Sequence, residues 1–284
     1  MRLDGQRESD NVVDQRGGGG TGKLVLGGGG LVVVVLISLL TGRSPSDVVR
    51  QINGSEPSAA PSGPTPSLPT PAEEQAKHFT AKILATTEDA WREQFARMRK
   101  QYVPPQLVLF TNQVDSACGM ADTAVGPFYC PRDQRAYLDL TFFAELAQRF
   151  GAPGDFAQAY VVAHEIGHHV QKLLGTSDYL ESRGGKTAGA TGTSVRVELQ
   201  ADCYAGVWGA YAQRHGLLDA RDPQEAIAAA QAIGDDTLQR RGRGGRVAPD
   251  SFTHGTSAQR VKWFKRGMQS GDPAQCDTFR ANPL

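Results

Sequence analysis

The pattern of apolar and polar positions divides the chain into an apolar run, a low-complexity stretch and a region of mixed periodicity. The apolar run, residues 24–40, contains no charged residue. From Gly54 to Pro71 nearly every residue is Pro, Ser, Thr, Gly or Ala, and such a composition cannot bury a core. Helical and strand periodicities begin at Glu73. We therefore predict one folded domain over 73–284, which is long enough to enclose a hydrophobic core.

Periodicity within this domain predicts more helix than strand. Apolar residues at helical spacing, bounded by glycine and proline, indicate helices, and short runs rich in β-branched and aromatic residues indicate strands. The fold class is therefore predicted to be mainly helical α+β with a small antiparallel sheet. The predicted helices are 73–100, 142–150, 155–175 and 195–214, and the predicted strands are 106–111, 128–130 and 136–140, the last two as a hairpin.

The apolar run predicts a transmembrane anchor over 24–41, although its length is at the short end for a spanning helix. More arginine and lysine residues precede the run than closely follow it, which favours a cytoplasmic N-terminus and an exported C-terminal domain. On this interpretation residues 1–23 are a Gly-rich cytoplasmic tail and residues 42–72 are a Pro/Ser-rich linker that acts as an extended tether. A cleaved signal peptide is the alternative.

All four cysteines lie in the part of the chain that is predicted to be exported. An even number of cysteines in an oxidising compartment indicates two disulfides, for which three connectivities exist. We prefer Cys118–Cys130, a local bridge across the predicted hairpin, together with Cys203–Cys276, which ties the C-terminus to the helix over 195–214. Four reduced core thiols are the alternative.

Composition argues against two classes of ligand. The 284 residues carry a formal net charge of zero, which speaks against a nucleic-acid partner. The segment Gly17–Lys23 (GGGGTGK) matches most of a phosphate-binding loop, but Leu24 stands where a Ser or Thr hydroxyl would meet magnesium. A glycine linker explains this segment better.

The strongest chemical signal is the segment His164-Glu165-Ile166-Gly167-His168. Residues four apart share one face of a helix, so His164 and His168 can offer two imidazoles to one metal ion, with Glu165 beside them. Glu198 follows as a candidate third ligand. Asp202, one turn further on, could hold a ligand histidine. These residues predict one Zn²⁺ ion bound by two histidines and a glutamate.

A chance match and a pair of solvated carboxylates are the simpler explanations of this pattern. The helix over 155–175 is largely apolar, however, and buried ionisable groups are costly unless they are paired or bound to a metal. The helix over 195–214 is likewise too apolar around its two carboxylates to be a simple exposed face. The zinc interpretation is therefore favoured.

The spacing of these motifs resembles that of the gluzincin class of zinc metallopeptidases. More narrowly, the region from Glu73 onward is similar to the bacterial putative neutral zinc metallopeptidase family, in which an N-terminal membrane segment is typical. Arg260 is expected to be a structural ion-pair partner. The resemblance implies a zincin-like domain and a catalytic role for His254 beside Glu165, for which a structural histidine is the alternative. It is carried by the segments HEIGHHVQ, ELQADCYAGVW, GPFYCP, YLDLTFF and SFTHGTSAQR.

The implied function is that of a membrane-anchored zinc endopeptidase that cleaves a peptide or protein substrate outside the cytoplasm. A metal-activated water attacks the peptide carbonyl, and Glu165 is the general base. An edge strand over 137–140 is expected to bind an extended peptide by strand addition. Two alternatives stay open. One is a catalytically inactive zinc-binding scaffold of the cell envelope that recruits a partner, and the other is a zinc hydrolase of non-peptide amides.

Overall fold

The computed structural model of the protein describes residues 1–16, 69–176, 187–242 and 245–284. Helices predominate over strands in these ranges, and the predicted α+β class is confirmed. The elements in chain order are β1 (Val12–Asp14), α1 (Pro71–Arg97), β2 (Gln106–Phe110), β3 (Gln113–Ser116), β4 (Gly119–Asp122), β5 (Phe128–Cys130), β6 (Arg135–Asp139), α2 (Thr141–Gln148), α3 (Asp155–Leu174), α4 (Thr193–Arg214), α5 (Asp222–Ala232), α6 (Asp235–Gly242) and α7 (Ser257–Ser270).

The main sheet has four strands in the order β1-β2-β6-β5 and is mixed. Strands β5 and β6 form the predicted antiparallel pair, but β2 is parallel to both β1 and β6. The predicted antiparallel sheet is therefore wrong for the pairs β1–β2 and β2–β6. Helix α1 lies between β1 and β2 in the chain, and β3 to β5 lie between β2 and β6. Such long connections allow two strands to pair in parallel. The predicted edge strand over 137–140 is also wrong. Strand β6 is paired on both sides, and β5 lies at the edge.

The N-terminal residues belong to the folded domain. Strand β1 pairs with β2, and Leu3 packs in the main core. The prediction that residues 1–23 form a tail outside the folded domain is therefore wrong for residues 1–16. No helix among the described residues is long and apolar enough to cross a membrane. The predicted anchor, 24–41, and most of the predicted linker lie outside the described residues.

Three long helices form the centre of the core and carry most of the candidate site. Helix α4 packs against α3 on one side and α7 on another. The aromatic rings of Phe156 and Trp208 stack between α3 and α4, with their centroids 5.5 Å apart. Helices α4 and α7 approach so closely that Gly206 and Gly267 face the opposing backbone directly. The site is therefore built on rigid, tightly packed elements.

Both preferred disulfides are present. Cys118–Cys130 joins the turn between β3 and β4 to the end of β5, and Cys203–Cys276 joins α4 to the C-terminal segment. The Cα atoms are 5.8 Å and 5.6 Å apart, within the usual range for disulfides. The second bridge holds the residue that directly follows Asp202.

The close contact between α4 and α7 predicts opposite effects for two alanine substitutions on the same helix. A methyl group at Gly206 would overlap the carbonyl oxygen of Phe264 and lie 2.7 Å from the amide nitrogen of Met268. At Gly209 the nearest atom, on the ring of Phe156, would be 3.7 Å away, an ordinary contact. We expect Gly206→Ala to lower the free energy of unfolding by about 1–3 kcal/mol through overpacking.

Gly209→Ala is the matched control, and the helix preference for alanine should raise its stability by up to about 1 kcal/mol. Urea unfolding of the oxidised protein measures both variants. Equal stabilities for the two would contradict the close packing of α4 on α7.

Candidate metal centre

Helix α3, which carries both histidines of the motif, has well-defined ends. Gly154 precedes it with φ of 128°, and a side chain there would overlap the carboxylate of Glu225, which accepts a hydrogen bond from the amide of Phe156 at 3.1 Å. Gly175 ends the helix in the left-handed conformation, as predicted. Asp155 is the first helical residue, and Gly154, at the cap position, has no side chain that could accept a hydrogen bond. Glu225 therefore supplies the bond expected of a cap.

Three side chains from α3 and α4 converge on one point. The Nε2 atom of His164 is 3.2 Å from one carboxylate oxygen of Glu198, and the Nε2 atom of His168 is 3.6 Å from the other. The donor atoms of all three residues lie within 4.8 Å of one another. The structure thus brings together the predicted ligands, which are separated by up to 34 residues in sequence.

This group fits a zinc ion. Tetrahedral zinc with bonds of ~2.0–2.1 Å holds its ligand atoms about 3.3–3.4 Å apart, and the two nitrogen–oxygen separations at Glu198 bracket that value. Two imidazoles and a carboxylate are also a ligand set that catalytic zinc sites use. His164, His168 and Glu198 would therefore hold the ion.

Asp202 orients His164 from behind, as predicted. Its Oδ1 atom lies 2.9 Å from Nδ1 of His164 and accepts a hydrogen bond from the hydroxyl of Tyr160. Arg260 donates to both carboxylate oxygens at 2.8 Å, from Nε and Nη2, and the carboxylate is fully buried. The predicted structural ion-pair role of Arg260 thus has its partner. Nδ1–H of His164 faces Asp202, which leaves Nε2 to face the metal position.

Charges strengthen this arrangement. Burial raises the pKa of Asp202, but the Arg260 guanidinium and the His164 imidazole outweigh it and hold that pKa at about 2. Burial lowers the pKa of His164, whereas the carboxylates of Asp202 and Glu198 raise it to about 10. A metal ion must therefore displace a proton from Nε2 of His164 when it binds.

The second histidine is oriented by a residue that the sequence analysis missed. The Nδ1 atom of His168 lies 2.9 Å from the side-chain oxygen of Gln171, whose amide group donates to the carbonyl of Val197 and to Gln200. Gln171 is one turn after His168 on α3, so the spacing along the helix could have revealed it. Each ligand histidine therefore has its own orienting partner.

Glu165 lines the cavity next to the three donors and is largely buried. Its carboxylate has no hydrogen-bond partner within the described ranges 1–16, 69–176, 187–242 and 245–284. Burial raises its pKa, and the imidazoles of His164 and His168 partly oppose that shift. A buried carboxylate without a protein partner beside a metal position is suited to bind and deprotonate a water molecule.

His254 reaches the same cavity from the loop before α7. Asp235 accepts hydrogen bonds from the backbone N–H groups of Thr253, His254 and Gly255 at 2.7–2.9 Å, which fixes the loop. Nδ1 of His254 lies 3.3 Å from the same carboxylate. Burial lowers the pKa of His254, but the carboxylates of Glu198 and Asp235 outweigh it and raise that pKa.

The cavity beside the donors has a volume of about 320 Å³, within the range of small-molecule sites. The other residues that line it are largely apolar and aromatic. The apolar lining includes Val125, Phe128, Phe142, Phe150, Val161 and Leu238. The cleft can therefore take a large apolar side chain next to the metal position.

Two imidazoles and a carboxylate, with a further carboxylate beside them in one cleft, are a donor set of the kind that mononuclear zinc hydrolases use. The chain belongs to the putative neutral zinc metallopeptidase family, whose model matches residues 1–279. This family membership supports zinc as the metal.

Two relatives show the extent of the similarity. The chain is 50% identical over 287 residues to Uncharacterized protein YpfJ of Escherichia coli strain K12, with 98% of this chain and 99% of the relative covered. It is 50% identical over 194 residues to Uncharacterized protein Rv2575 of Mycobacterium tuberculosis strain H37Rv, with 64% of this chain and 65% of the relative covered. No solved structure matches the chain significantly.

The ligand set predicts that Glu198→Ala weakens zinc binding by more than about 100-fold, beyond the range typical of outer-shell substitutions. Titration of the metal-free protein against a chromophoric chelator measures the affinity. Glu145→Ala is the matched control, because Glu145 lines the same cavity outside the donor group. The ligand assignment fails if both variants bind one zinc ion as tightly as the unmodified protein does.

Proposed function

We propose that the protein is a zinc-dependent endopeptidase. The observation that carries the proposal is the convergence of His164, His168 and Glu198 beside the carboxylate of Glu165. Among the described residues three side chains form this donor group. Structural zinc sites almost always have four protein ligands, whereas catalytic sites keep one position for water or substrate. The arrangement therefore favours catalysis over a purely structural role.

The chain's own residues perform the proton transfers. Zinc, when bound, supplies a Lewis acid that makes a water molecule acidic near pH 7. A carboxylate oxygen of Glu165 accepts a proton as the water oxygen attacks the peptide carbonyl carbon. The same oxygen delivers this proton to the amine nitrogen when the carbon–nitrogen bond breaks. The raised pKa of Glu165 makes its carboxylate a stronger base for the first of these steps.

His254 is the second catalytic residue. The carbonyl oxygen of the substrate gains negative charge during attack and needs a hydrogen-bond donor. Because Asp235 engages Nδ1 of His254, the other ring nitrogen, Nε2, is left to face that oxygen, and it donates a hydrogen bond when the imidazole is protonated. The raised pKa of His254 supports a protonated, donating imidazole.

The substrate is a peptide or protein segment bound in extended form. Strand β5 lies at the edge of the sheet and its residues Phe128 and Tyr129 line the cavity, so a peptide can pair with this edge while it passes the metal position. A large apolar side chain next to the cleaved bond fits the aromatic wall. The zero net charge supports a partner other than nucleic acid.

The two disulfides support a site of action outside the cytoplasm, because such bonds persist in oxidising compartments. Cleavage of extracytoplasmic peptides is therefore the activity that we assign to the domain. The attachment of the domain to a membrane through residues 24–41 stays a prediction, because these residues lie outside the described ranges.

Replacing the general base should separate catalysis from metal binding. We expect Glu165→Gln to keep one zinc ion per chain and to lower kcat/KM by about 10²–10⁴-fold, because the amide cannot accept the proton. A quenched fluorescent peptide library measures cleavage, and atomic absorption measures zinc. Glu145→Gln, on the wall of the same cavity, should cleave normally. Unchanged cleavage by Glu165→Gln would refute the assigned base.

The same library tests the two alternatives to a peptidase. If the zinc-loaded protein cleaves no peptide, an inactive envelope scaffold or a hydrolase of non-peptide amides is favoured instead. Assays with small acylated amines as substrates then distinguish these two.

Loss of His254, the proposed hydrogen-bond donor to the negatively charged substrate oxygen, should lower kcat more than it weakens substrate binding. We expect His254→Ala to lower kcat by about 10²–10³-fold with zinc content unchanged. His215→Ala is the matched control, since His215 is exposed at the end of α4. A variant that only loses thermal stability, with normal kcat in its folded fraction, would mean that His254 is structural.

A further inference from the structure

The first residues of the chain are bound by the domain through specific contacts. The amino group of Met1 lies 2.5 Å from the carboxylate of Asp155, 3.3 Å from that of Asp219 and 3.4 Å from that of Asp222. The amide of Arg2 donates to the carbonyl of Leu217. The N-terminus is therefore seated between the start of α3 and the start of α5.

A buried carboxylate in the middle of α1 depends on the same N-terminal segment. Glu88 is 1% exposed, and three of its four side-chain partners precede β1 or lie next to it. Its oxygens lie 3.0 Å from Nη2 of Arg7, 2.5 Å from Oγ of Ser9 and 2.8 Å from Nδ2 of Asn11, while Arg92 is 3.3 Å away. A buried carboxylate without such partners is strongly unfavourable, so residues 7–11 are part of the structure that makes Glu88 tolerable.

Strand β1 completes this attachment. It pairs with β2 in parallel from Val12 to Asp14, and flanking backbone bonds join Asn11 to Leu107 and Gln15 to Leu109 at 2.9 Å and 2.8 Å. Without β1 the outer edge of β2 would expose unpaired N–H and C=O groups.

Arg16, at the end of the described N-terminal segment, lies next to the start of α1. The guanidinium of Arg16 donates to the backbone carbonyl of Glu73 at 3.1 Å and pairs with the carboxylate of Glu74 at 2.5 Å. Lys77 pairs with Asp14 at 2.9 Å. Residue 16 and the start of α1 are therefore adjacent, although more than 50 residues separate Arg16 from Glu73.

Three of the four basic residues that precede the apolar run form ion pairs within the fold. Arg2 pairs with Asp219, Arg7 with Glu88 and Asp89, and Arg16 with Asp14 and Glu74. Their charges are used within the fold, so their position before residues 24–40 is no longer an independent indication of a cytoplasmic N-terminus.

We propose that residues 1–16 lie on the same side of any membrane as the zinc-site domain. Contacts of 2.5–3.4 Å cannot extend across a hydrocarbon layer of ~30 Å, so one bilayer cannot separate Met1 from Asp155 or Arg16 from Glu74. The N-terminal segment and the zinc-site domain therefore do not lie on opposite sides of a membrane, as the basic residues before the apolar run had suggested.

Two single-cysteine variants of the full chain test this topology. Asp10→Cys and Lys265→Cys place a thiol at exposed positions in the N-terminal segment and in α7, and all four native cysteines are in disulfides. Labelling of both variants in detergent sets the reference. A membrane-impermeant maleimide is then added to cells with an intact cytoplasmic membrane and, separately, after permeabilisation.

We expect the two thiols to behave alike, both labelled before permeabilisation or both only after it. Labelling of one position on intact membranes, with the other labelled only after permeabilisation, would overturn the proposal. The assay does not depend on catalysis, so its outcome is independent of the proposed peptidase activity.

Discussion

The ion pair between Asp202 and Arg260 joins α4 to α7 at the centre of the core, and its carboxylate also reaches α3. Both side chains are almost fully buried. Removing one partner of such a pair typically costs about 3–5 kcal/mol, because an unpaired buried charge is left. Since the same carboxylate accepts hydrogen bonds from Tyr160 and from His164, none of the three helices can shift without disturbing a metal ligand. The position of the His164 imidazole is therefore set by the packing of the core.

The surrounding core holds this pair in place. The disulfide Cys203–Cys276 restrains the residue after Asp202, and Gly206 lets the backbone of α7 approach α4 closely enough for Arg260 to reach across. His254, which lines the same cavity, lies on a loop that Asp235 fixes through three backbone hydrogen bonds. Rigid supports behind each functional side chain are what precise catalytic geometry requires.

How well a contact can be predicted from the sequence depends on how many residues separate its two partners. The HExxH segment and the later carboxylates were predictable because one helical turn fixes their relative positions. Tyr160 and Gln171 were missed, although both lie one turn from a ligand histidine and the same spacing argument reaches them. The attachment of β1 could not be predicted, because Arg7 and Glu88 are 81 residues apart and parallel pairing leaves no turn signature. A basic N-terminal segment therefore suggested membrane topology instead of tertiary contacts.

The coordination of zinc by the purified protein tests the account most directly. X-ray absorption at the zinc edge should show a single site with nitrogen and oxygen ligands at ~2.0–2.1 Å, including the scattering pattern of two imidazoles. In the Glu198→Ala variant the two imidazoles should remain while the affinity falls. Sulfur ligands at ~2.3 Å, or fewer than two imidazoles in the unmodified protein, would contradict a centre built from His164, His168 and Glu198.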